Sequence, residues 1–397
     1  MRKRRDRTRR AASHRAVPAV VREDGGAPGE ERGKSVAMRK KVDGQGLLSD
    51  ANTATVRKST PGPGPVGGRL DFSFSVRQHR IDVTTVCTSS PTEAAKYIRQ
   101  GELSAFPTET VYGLGADALR VDAVEKIFTA KGRPSDNPLI VHVAALALVE
   151  SLVAEVPAPA RGLMHRFWPG PLTVILPKSD GVPDVVTAGL STVGLRWPRH
   201  PVAQAFLEAC ETPVAAPSAN RSGRPSPTTW QAVKQDLDGR IACILKGGRT
   251  EAGVESTVVD CTATPPTVLR PGAISVEALR EQIGEVRVGA DESDDAPRSP
   301  GTRHRHYAPR ASVVLVSDSG EAAAGAHAAY IGRDRPGDSQ LFSQVLVANT
   351  LEEYAEELFH FFRTADRAGA EVIYAQIVPE EGMGRALNDR LRRAAAR

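Results

Sequence analysis

The chain has 397 residues, more than one domain usually contains, so we expect two folded domains and a tail. It contains no apolar run of about 18 residues that could span a bilayer, and its Arg-rich start lacks the apolar segment of a signal peptide, so we expect no membrane association. The net charge of +5 comes from residues 1–80, which hold 19 Lys and Arg against 8 Asp and Glu, whereas the rest of the chain holds 33 against 39. A mildly acidic body argues against nucleic-acid binding as the main activity.

The cysteines lie far apart and form no C-x-x-C pair; they are Cys87, Cys210, Cys243 and Cys261. This spacing argues against a zinc ribbon, an iron–sulfur site and a disulfide framework. Free thiols suit a reducing compartment, so we expect a cytoplasmic protein.

Residues 1–76 combine the run "MRKRRDRTRR" with glycine- and proline-rich pieces and show no helical or strand period. We predict a disordered basic tail. An RNA-binding arm and an organelle transit peptide are alternatives, although acidic residues spoil the transit pattern. A translation start at Met38 or later fits the sequence equally well.

Residues 80–288 alternate apolar strand-like runs with amphipathic helical patterns, which predicts an α/β domain with a twisted mixed sheet. We expect Thr92 to cap the first helix. We expect Asp122 and Glu125 to form the capping box of a second helix that ends at Gly132.

Residues 289–310 are polar and acidic at first, which favours a linker. Residues 311–397 alternate strand and helix patterns and predict a small Rossmann-like domain with a parallel sheet. We expect its helices near 319–326, after a cap at Thr350, and from about 383.

Several polar segments interrupt the apolar strands of the first domain: "FPTETVYGLGADA", "KGRPSDNPLIVHV", "FWPGPLTVIL", "TVGLRWPRHP", "APSANRSGRPSPT", "GVESTVVD" and "VLRPGAIS". In this order and spacing they resemble the YrdC-like domain of the threonylcarbamoyladenylate synthases. The linker sequence "SPGTRHRHYAP", followed by a second α/β domain, resembles the long two-domain form of that family. The resemblance covers about residues 85–397.

The resemblance implies an enzyme that condenses L-threonine, bicarbonate and ATP to L-threonylcarbamoyl-AMP and releases pyrophosphate. The product would pass to a downstream tRNA-modifying transferase complex that forms N6-threonylcarbamoyladenosine. Such chemistry requires positioning, cationic charge and a dry site more than covalent help from the protein. We expect Mg²⁺ to arrive with ATP, because no D-x-D pair or carboxylate cluster indicates a metal held by the protein.

Some candidate residues follow from their surroundings in the sequence. Lys131, Arg133 and Asn137 precede a buried strand, and cations beside an amide suit a triphosphate; a solvated turn is the alternative. Arg196 ends an apolar strand and requires a carboxylate partner, either a substrate or a structural acid. His142, alone in an apolar strand, is by itself more typical of a core residue.

The resemblance assigns roles to particular positions. It implies that Lys131 and Arg133 act in catalysis by gathering the charge of the triphosphate. For L-threonine it implies contacts from Thr110, His142, Arg196, Ala216 and Ser256. For ATP it implies contacts from Arg133, Asn137, Thr192, Ser218, Ser226, Arg270 and Tyr307. Asn220 would be a neighbour in the same loop as Ser218 and Ser226.

Tyr307 lies in the linker, where the resemblance implies a lid that folds over the nucleotide. The family motif usually reads "SPGMRYRHYAP", and here Thr302 and His304 replace methionine and tyrosine. These two replacements concern the packing of the lid.

Two other functions stay open at this stage. The chain could be an RNA-binding module, for double-stranded RNA or tRNA, in which the tail contributes weak RNA binding. A carbamoyl transferase of hydrogenase maturation also uses a YrdC-like domain, but its zinc-type cysteine pairs do not occur here. A P-loop ATPase is excluded because the sequence has no Walker A segment.

Overall fold

The computed structural model describes residues 84–289 and 307–396. The predicted tail and most of the predicted linker, including Thr302 and His304, lie outside these residues. Within the described ranges, no helix has both the length and the apolar character needed to cross a membrane.

A large mixed sheet organises residues 84–289. Its strands are β1 (Val86–Thr88), β2 (Ser104–Phe106), β3 (Gly113–Asp117), β4 (Ile140–His142), β5 (Leu172–Pro177), β6 (Thr192–Arg196), β7 (Val214–Ala216), β8 (Cys243–Leu245), β9 (Thr257–Asp260), β10 (Thr267–Arg270) and β11 (Arg287–Val288). They lie in the order β1-β8-β2-β3-β7-β4-β6-β5-β9-β10-β11. Pairs such as β4 with β6 are parallel and pairs such as β4 with β7 are antiparallel.

Helices connect these strands and cover the sheet. They are α1 (Pro91–Arg99), α2 (Val121–Lys131), α3 (Val149–Leu152), α4 (Ala158–Phe167), α5 (Asp184–Thr187), α6 (Pro201–Cys210), α7 (Trp230–Leu237) and α8 (Val276–Ile283). Their apolar faces bury side chains against the strands, so the central strands of the sheet are almost entirely enclosed.

The helix ends show where local sequence rules held. Ser90, not Thr92, caps α1: its hydroxyl accepts a hydrogen bond from the Glu93 amide at 3.3 Å, and the next residue, a proline, needs no amide partner. The predicted capping box of α2 is wrong, because Asp122 pairs with Arg120 at 2.7 Å instead of capping the helix. Gly132 ends α2 as predicted, with φ of 62°.

Residues 307–396 form the second domain around a parallel sheet of β12 (Ser312–Val316), β13 (Ala328–Gly332), β14 (Gln344–Val347) and β15 (Val372–Gln376), in the order β12-β15-β13-β14. Its helices are α9 (Leu351–Arg367), capped by Thr350 as predicted, and α10 (Met383–Ala395). The helix expected near 319–326 is only a 3₁₀ turn at Ser319–Glu321. The fold class predicted for both domains is confirmed, with a large mixed sheet and a separate parallel sheet.

The two domains meet through backbone packing and buried charges. An ideal Cβ built on Gly253, where φ is +68°, would lie 2.3 Å from the Ala355 carbonyl oxygen of α9, so only glycine fits this approach. Arg363 of α9 pairs with the buried Asp236 of α7 at 2.8 Å. A cleft in the first domain lies beside the second domain.

Candidate active site

The cleft lies at the middle of the large sheet and has a cavity volume of about 50 Å³. Strand register builds its floor, because His142 of β4 lies opposite Arg196 of β6 and Ile140 lies opposite Ala216 of β7. Of the predicted site residues, those that line the cleft are Arg133, His142, Arg196, Ala216, Ser218, Ser256, Arg270 and Tyr307.

Arg196 faces a carboxylate that the sequence prediction did not identify. Its Nη2 lies 2.9 Å from Oε1 of Glu109, and both side chains are buried. The approach does not have hydrogen-bond geometry, so Arg196 Nε and Nη2 and both Glu109 carboxylate oxygens have no hydrogen-bond partner among the described residues. The structural-acid alternative is thus realised, while N–H groups of Arg196 stay available to a ligand in the cleft.

His142 is a neutral group at physiological pH. Burial, followed by the nearby charge of Arg196, lowers its pKa to about 3. Its ring packs edge-on to Phe106, with the ring centroids 5.7 Å apart. The imidazole therefore adds a polar contact to the cleft without adding positive charge.

The segment after β2 builds one wall of the cleft with its own hydroxyls. The Thr108 hydroxyl donates to the Val111 carbonyl at 2.6 Å and lies 2.9 Å from the Thr110 hydroxyl. Tyr112 donates to the Gly248 carbonyl at 3.1 Å, which ties the segment to the strand end after β8. Thr108 lines the cleft; Thr110 is fully buried and is not among the lining residues.

Lys131 and Arg133, at the end of α2, have different environments. Lys131 Nζ donates to the backbone carbonyls of Ser218 and Asn220, both at 2.5 Å, and is not among the residues that line the cleft. Burial, followed by the charge of Arg133, lowers the Lys131 pKa well below its ordinary value.

Arg133 lines the cleft and keeps unused hydrogen-bonding capacity. Its Nη2 donates to the carbonyls of Asn137 and Pro138 at 3.3 Å, while its Nε and the Asn137 Oδ1 are buried without a partner among the described residues. Burial lowers the Arg133 pKa to about 10, so it is charged at neutral pH.

The loop after β7 carries the two serines predicted for ATP and their neighbour Asn220. The Ser218 hydroxyl donates to Asn220 Oδ1 at 2.5 Å, and the Asn220 amide donates to the Arg221 and Arg224 carbonyls at 2.9 Å. Ser226 is buried and not among the lining residues, but it contacts the cleft residue Glu255. Thr192 lies apart from these residues and lines a separate small cavity.

A buried acid and two arginines close the end of the cleft nearest the second domain. Glu255 accepts from the Ser226 hydroxyl at 2.5 Å and from Arg390 Nε of α10 at 2.8 Å. Burial alone would raise the Glu255 pKa, but the charges of Arg390 and Arg270 outweigh it and hold the pKa below its ordinary value. Arg270 donates to the Ser256 carbonyl at 3.0 Å and to its hydroxyl at 3.1 Å.

Tyr307 lines the cleft and packs in the core of the second domain. It has φ of 65°, a left-handed conformation unusual for a residue other than glycine. Its ring stacks on Phe359 of α9 with centroids 5.2 Å apart, and the Arg390 guanidinium carbon lies 5.4 Å from its centroid.

Sequence reasoning missed Glu109, Glu255 and Arg390. Both acids occur in the polar segments that carried the resemblance. A buried arginine needs a carboxylate nearby to balance its charge, so these acids could have been sought in the same segments. Arg390 lies in a basic amphipathic helix with several other arginines. Nothing in the sequence of the helix indicates that Arg390 is the arginine that is fully buried.

Comparison with known proteins agrees with this architecture. The family model described as "Telomere recombination" matches residues 96–272, and the one described as "Threonylcarbamoyl-AMP synthase, C-terminal domain" matches residues 274–396. The chain is 46% identical to the threonylcarbamoyl-AMP synthase of Pyrococcus abyssi over 76% of this chain and 93% of that protein. It is 44% identical to the Bacillus subtilis enzyme of the same name, over 79% and 96%.

A solved structure gives the same result for the fold. The crystal structure of P. abyssi Sua5 complexed with L-threonine superposes with a TM-score of 0.72 at 43% identity, covering 79% of this chain and 97% of that one. The chain therefore belongs to the threonylcarbamoyl-AMP synthase family, in its long two-domain form.

Proposed function

We propose that this enzyme condenses L-threonine, bicarbonate and ATP to L-threonylcarbamoyl-AMP and pyrophosphate. The observation that carries the proposal is one cleft that is lined by three buried arginines, Arg133, Arg196 and Arg270, together with the neutral His142. Family membership and the threonine complex of a relative support the same conclusion.

L-threonine would bind at the β4–β6–β7 floor. Arg196 would bind the α-carboxylate with the N–H groups that the Glu109 contact leaves unused, and His142 would accept or donate one hydrogen bond as a neutral imidazole. Ala216 and Ser256 would contact the rest of the amino acid. Thr110 would act from behind Thr108, whose hydroxyl it contacts.

ATP would bind beside it, between the loop after β7 and the second domain. Arg133, Arg270 and Ser218 line this part of the cleft, and Tyr307 offers a ring for stacking. Asn137 and Ser226 would act from the adjoining shell. Lys131 would act through the two loop carbonyls that it holds, and Thr192 would require the small cavity to open toward the cleft.

The chemistry follows from placing these ligands side by side. The threonine amine forms an N–C bond with CO₂ derived from bicarbonate and loses a proton. An oxygen of the resulting carbamate then attacks the α-phosphorus, and the bond to the departing pyrophosphate breaks. The arginines neutralise charge that grows on the phosphate oxygens, and the buried walls exclude water.

An ATP-using synthase implies a divalent metal, and we propose Mg²⁺. No group of three or more metal-ligating side chains occurs in the described ranges. Glu255, the carboxylate that lines the cleft, is already bonded to Ser226 and Arg390. The residues present therefore fit an ion that is held by the triphosphate and water.

We further propose that the product passes to a tRNA-modifying transferase complex. Among the described residues the cysteine thiols are free, and Cys210, Cys243 and Cys261 are buried, which suits the cytoplasm. RNA binding by the basic tail is an alternative function that lies outside the described residues.

Purified protein incubated with L-threonine, bicarbonate and ATP should form the adenylate, detected by mass spectrometry. Product absence, or equal turnover with serine or without bicarbonate, would contradict the proposed reaction. A chain lacking residues 1–76 should release pyrophosphate at the full rate. Loss of turnover in that chain would favour the RNA-binding alternative.

A further inference from the structure

Arg390 is a fully buried arginine that comes from the second domain and contacts the wall of the cleft. Its Nε donates to Glu255 at 2.8 Å, and its Nη1 lies 2.5 Å from Asp389, so two carboxylates balance its charge. Its Nη2 is buried without a hydrogen-bond partner among the described residues. A buried guanidinium without a partner costs free energy. The two carboxylates therefore hold the Arg390 side chain in this position.

Both cleft residues that Arg390 touches lie on the side proposed for the nucleotide. Glu255 lines the cleft, bonds Ser226 and lies near Arg270. Tyr307 also lines the cleft, and its ring lies against Arg390 and Phe359, both from the second domain. The hydrogen bonds and ion pairs of Arg390 go to Glu255 and Asp389, not to His142 or Arg196 of the cleft floor.

Charge explains why this contact matters for a polyanionic ligand. Glu255 is ionised and borders the cleft, so without a partner it would repel a triphosphate or take up a proton. Arg390 balances this negative charge from outside the cleft, so the cleft keeps a net positive charge from Arg133 and Arg270.

We propose that Arg390 is a positioning residue of the active site, which neutralises Glu255 and holds the Tyr307 ring, so that the second domain completes the nucleotide half of the cleft. The inference rests on the proposed function only in naming ATP as the ligand. It gives the second domain a direct part in substrate binding.

The test compares Arg390→Met with Arg392→Met in the full chain. Arg392 lies on the same helix, is exposed and pairs with Glu380, so its variant removes one charge without touching the cleft. The affinity for ATP, measured by calorimetry, should fall by about tenfold or more in Arg390→Met. In Arg392→Met it should stay within about twofold of the unchanged protein. The KM for ATP should rise more than the KM for L-threonine.

A second change separates positioning from simple loss of folding. In the double variant Glu255→Gln, Arg390→Met the unpaired charge is gone, so ATP binding should recover relative to Arg390→Met alone. Arg390→Lys should bind ATP with intermediate affinity, because it keeps the charge but loses the planar contact with Tyr307. If Arg390→Met does not fold, the Lys variant and Glu255→Gln provide the same comparison.

Three results would overturn the inference. One is unchanged ATP affinity in a folded Arg390→Met protein with a lower melting temperature. Another is an equal rise of both KM values. The third is a double variant that binds ATP more weakly than either single variant. ATP binding is measured without turnover, so failure of the wild type to make the adenylate would count against the proposed reaction and not against the role of Arg390.

Discussion

The carboxylate of Glu109 lies 2.9 Å from the guanidinium of Arg196, and both side chains are buried where the cleft meets the sheet. The pair holds Arg196 in place, while its Nε and Nη2 have no hydrogen-bond partner among the described residues. A ligand carboxylate could therefore join the arginine without first breaking a set of hydrogen bonds.

Replacing Arg196 with alanine should impair use of L-threonine more than use of ATP. We expect the KM for L-threonine to rise by about tenfold or more, because a charge-assisted carboxylate contact is lost. The variant should also unfold more easily, by about 3–5 kcal/mol, since Glu109 is left as a buried unpaired charge. Steady-state kinetics and denaturant unfolding measure the two effects.

The matched control is the double variant Glu109→Gln, Arg196→Met. It should regain most of the lost stability, because no buried charge is left alone, but it should not regain threonine affinity. Recovery of both properties together would show that Arg196 has only a structural role.

Replacing Arg133 with alanine should have the opposite ligand preference. Arg133 lines the cleft with an unused Nε, so its removal should weaken ATP binding by about tenfold and change threonine binding little. Arg199→Ala, at an exposed arginine paired with Glu251, serves as control. Equal losses for both ligands would mean that the two halves of the site are misassigned.

Lys131→Met should affect the loop after β7 as a unit. Its Nζ donates to the carbonyls of Ser218 and Asn220, so its removal leaves one partly buried and one buried acceptor without this donor and lowers the melting temperature. Calorimetry should show similar fractional losses in affinity for ATP and for AMP. A loss confined to ATP would instead indicate direct contact between Lys131 and the outer phosphates.

His142 should make the protein sensitive to mild acid. The pKa is about 3 in the folded protein against about 6.5 ordinarily, so the unfolded chain binds a proton first as pH falls below about 6.5. The free energy of unfolding should then drop by up to about 1.4 kcal/mol per pH unit toward pH 3. His142→Asn should show a shallower decline between pH 6.5 and 4, and parallel curves would refute this cause.

The architecture could be predicted from the sequence, but which charged residues become neighbours could not. Strand and helix periods predicted both domains, because burial imposes those periods locally. His142 and Arg196 become neighbours only through the β4–β6 register, and nothing local in either strand specifies that pairing. Arg390 is harder still, since its burial depends on how a helix of one domain meets an acid of the other.

Local competition explains the smaller errors. Ser90 and Thr92 are both good caps, and the proline between them decided in favour of Ser90. Asp122 had the spacing of a capping box, but its carboxylate accepts a hydrogen bond from Arg120 instead.

At Gly253 main chain meets main chain across the two domains, without a side chain between them. The spacing there is set by atoms that every residue possesses, and a methyl group at position 253 would act as a wedge. Gly253→Ala would push α9 outward and, with it, Phe359 and the Tyr307 ring that stacks on Phe359. One added carbon outside the cleft would therefore weaken nucleotide binding.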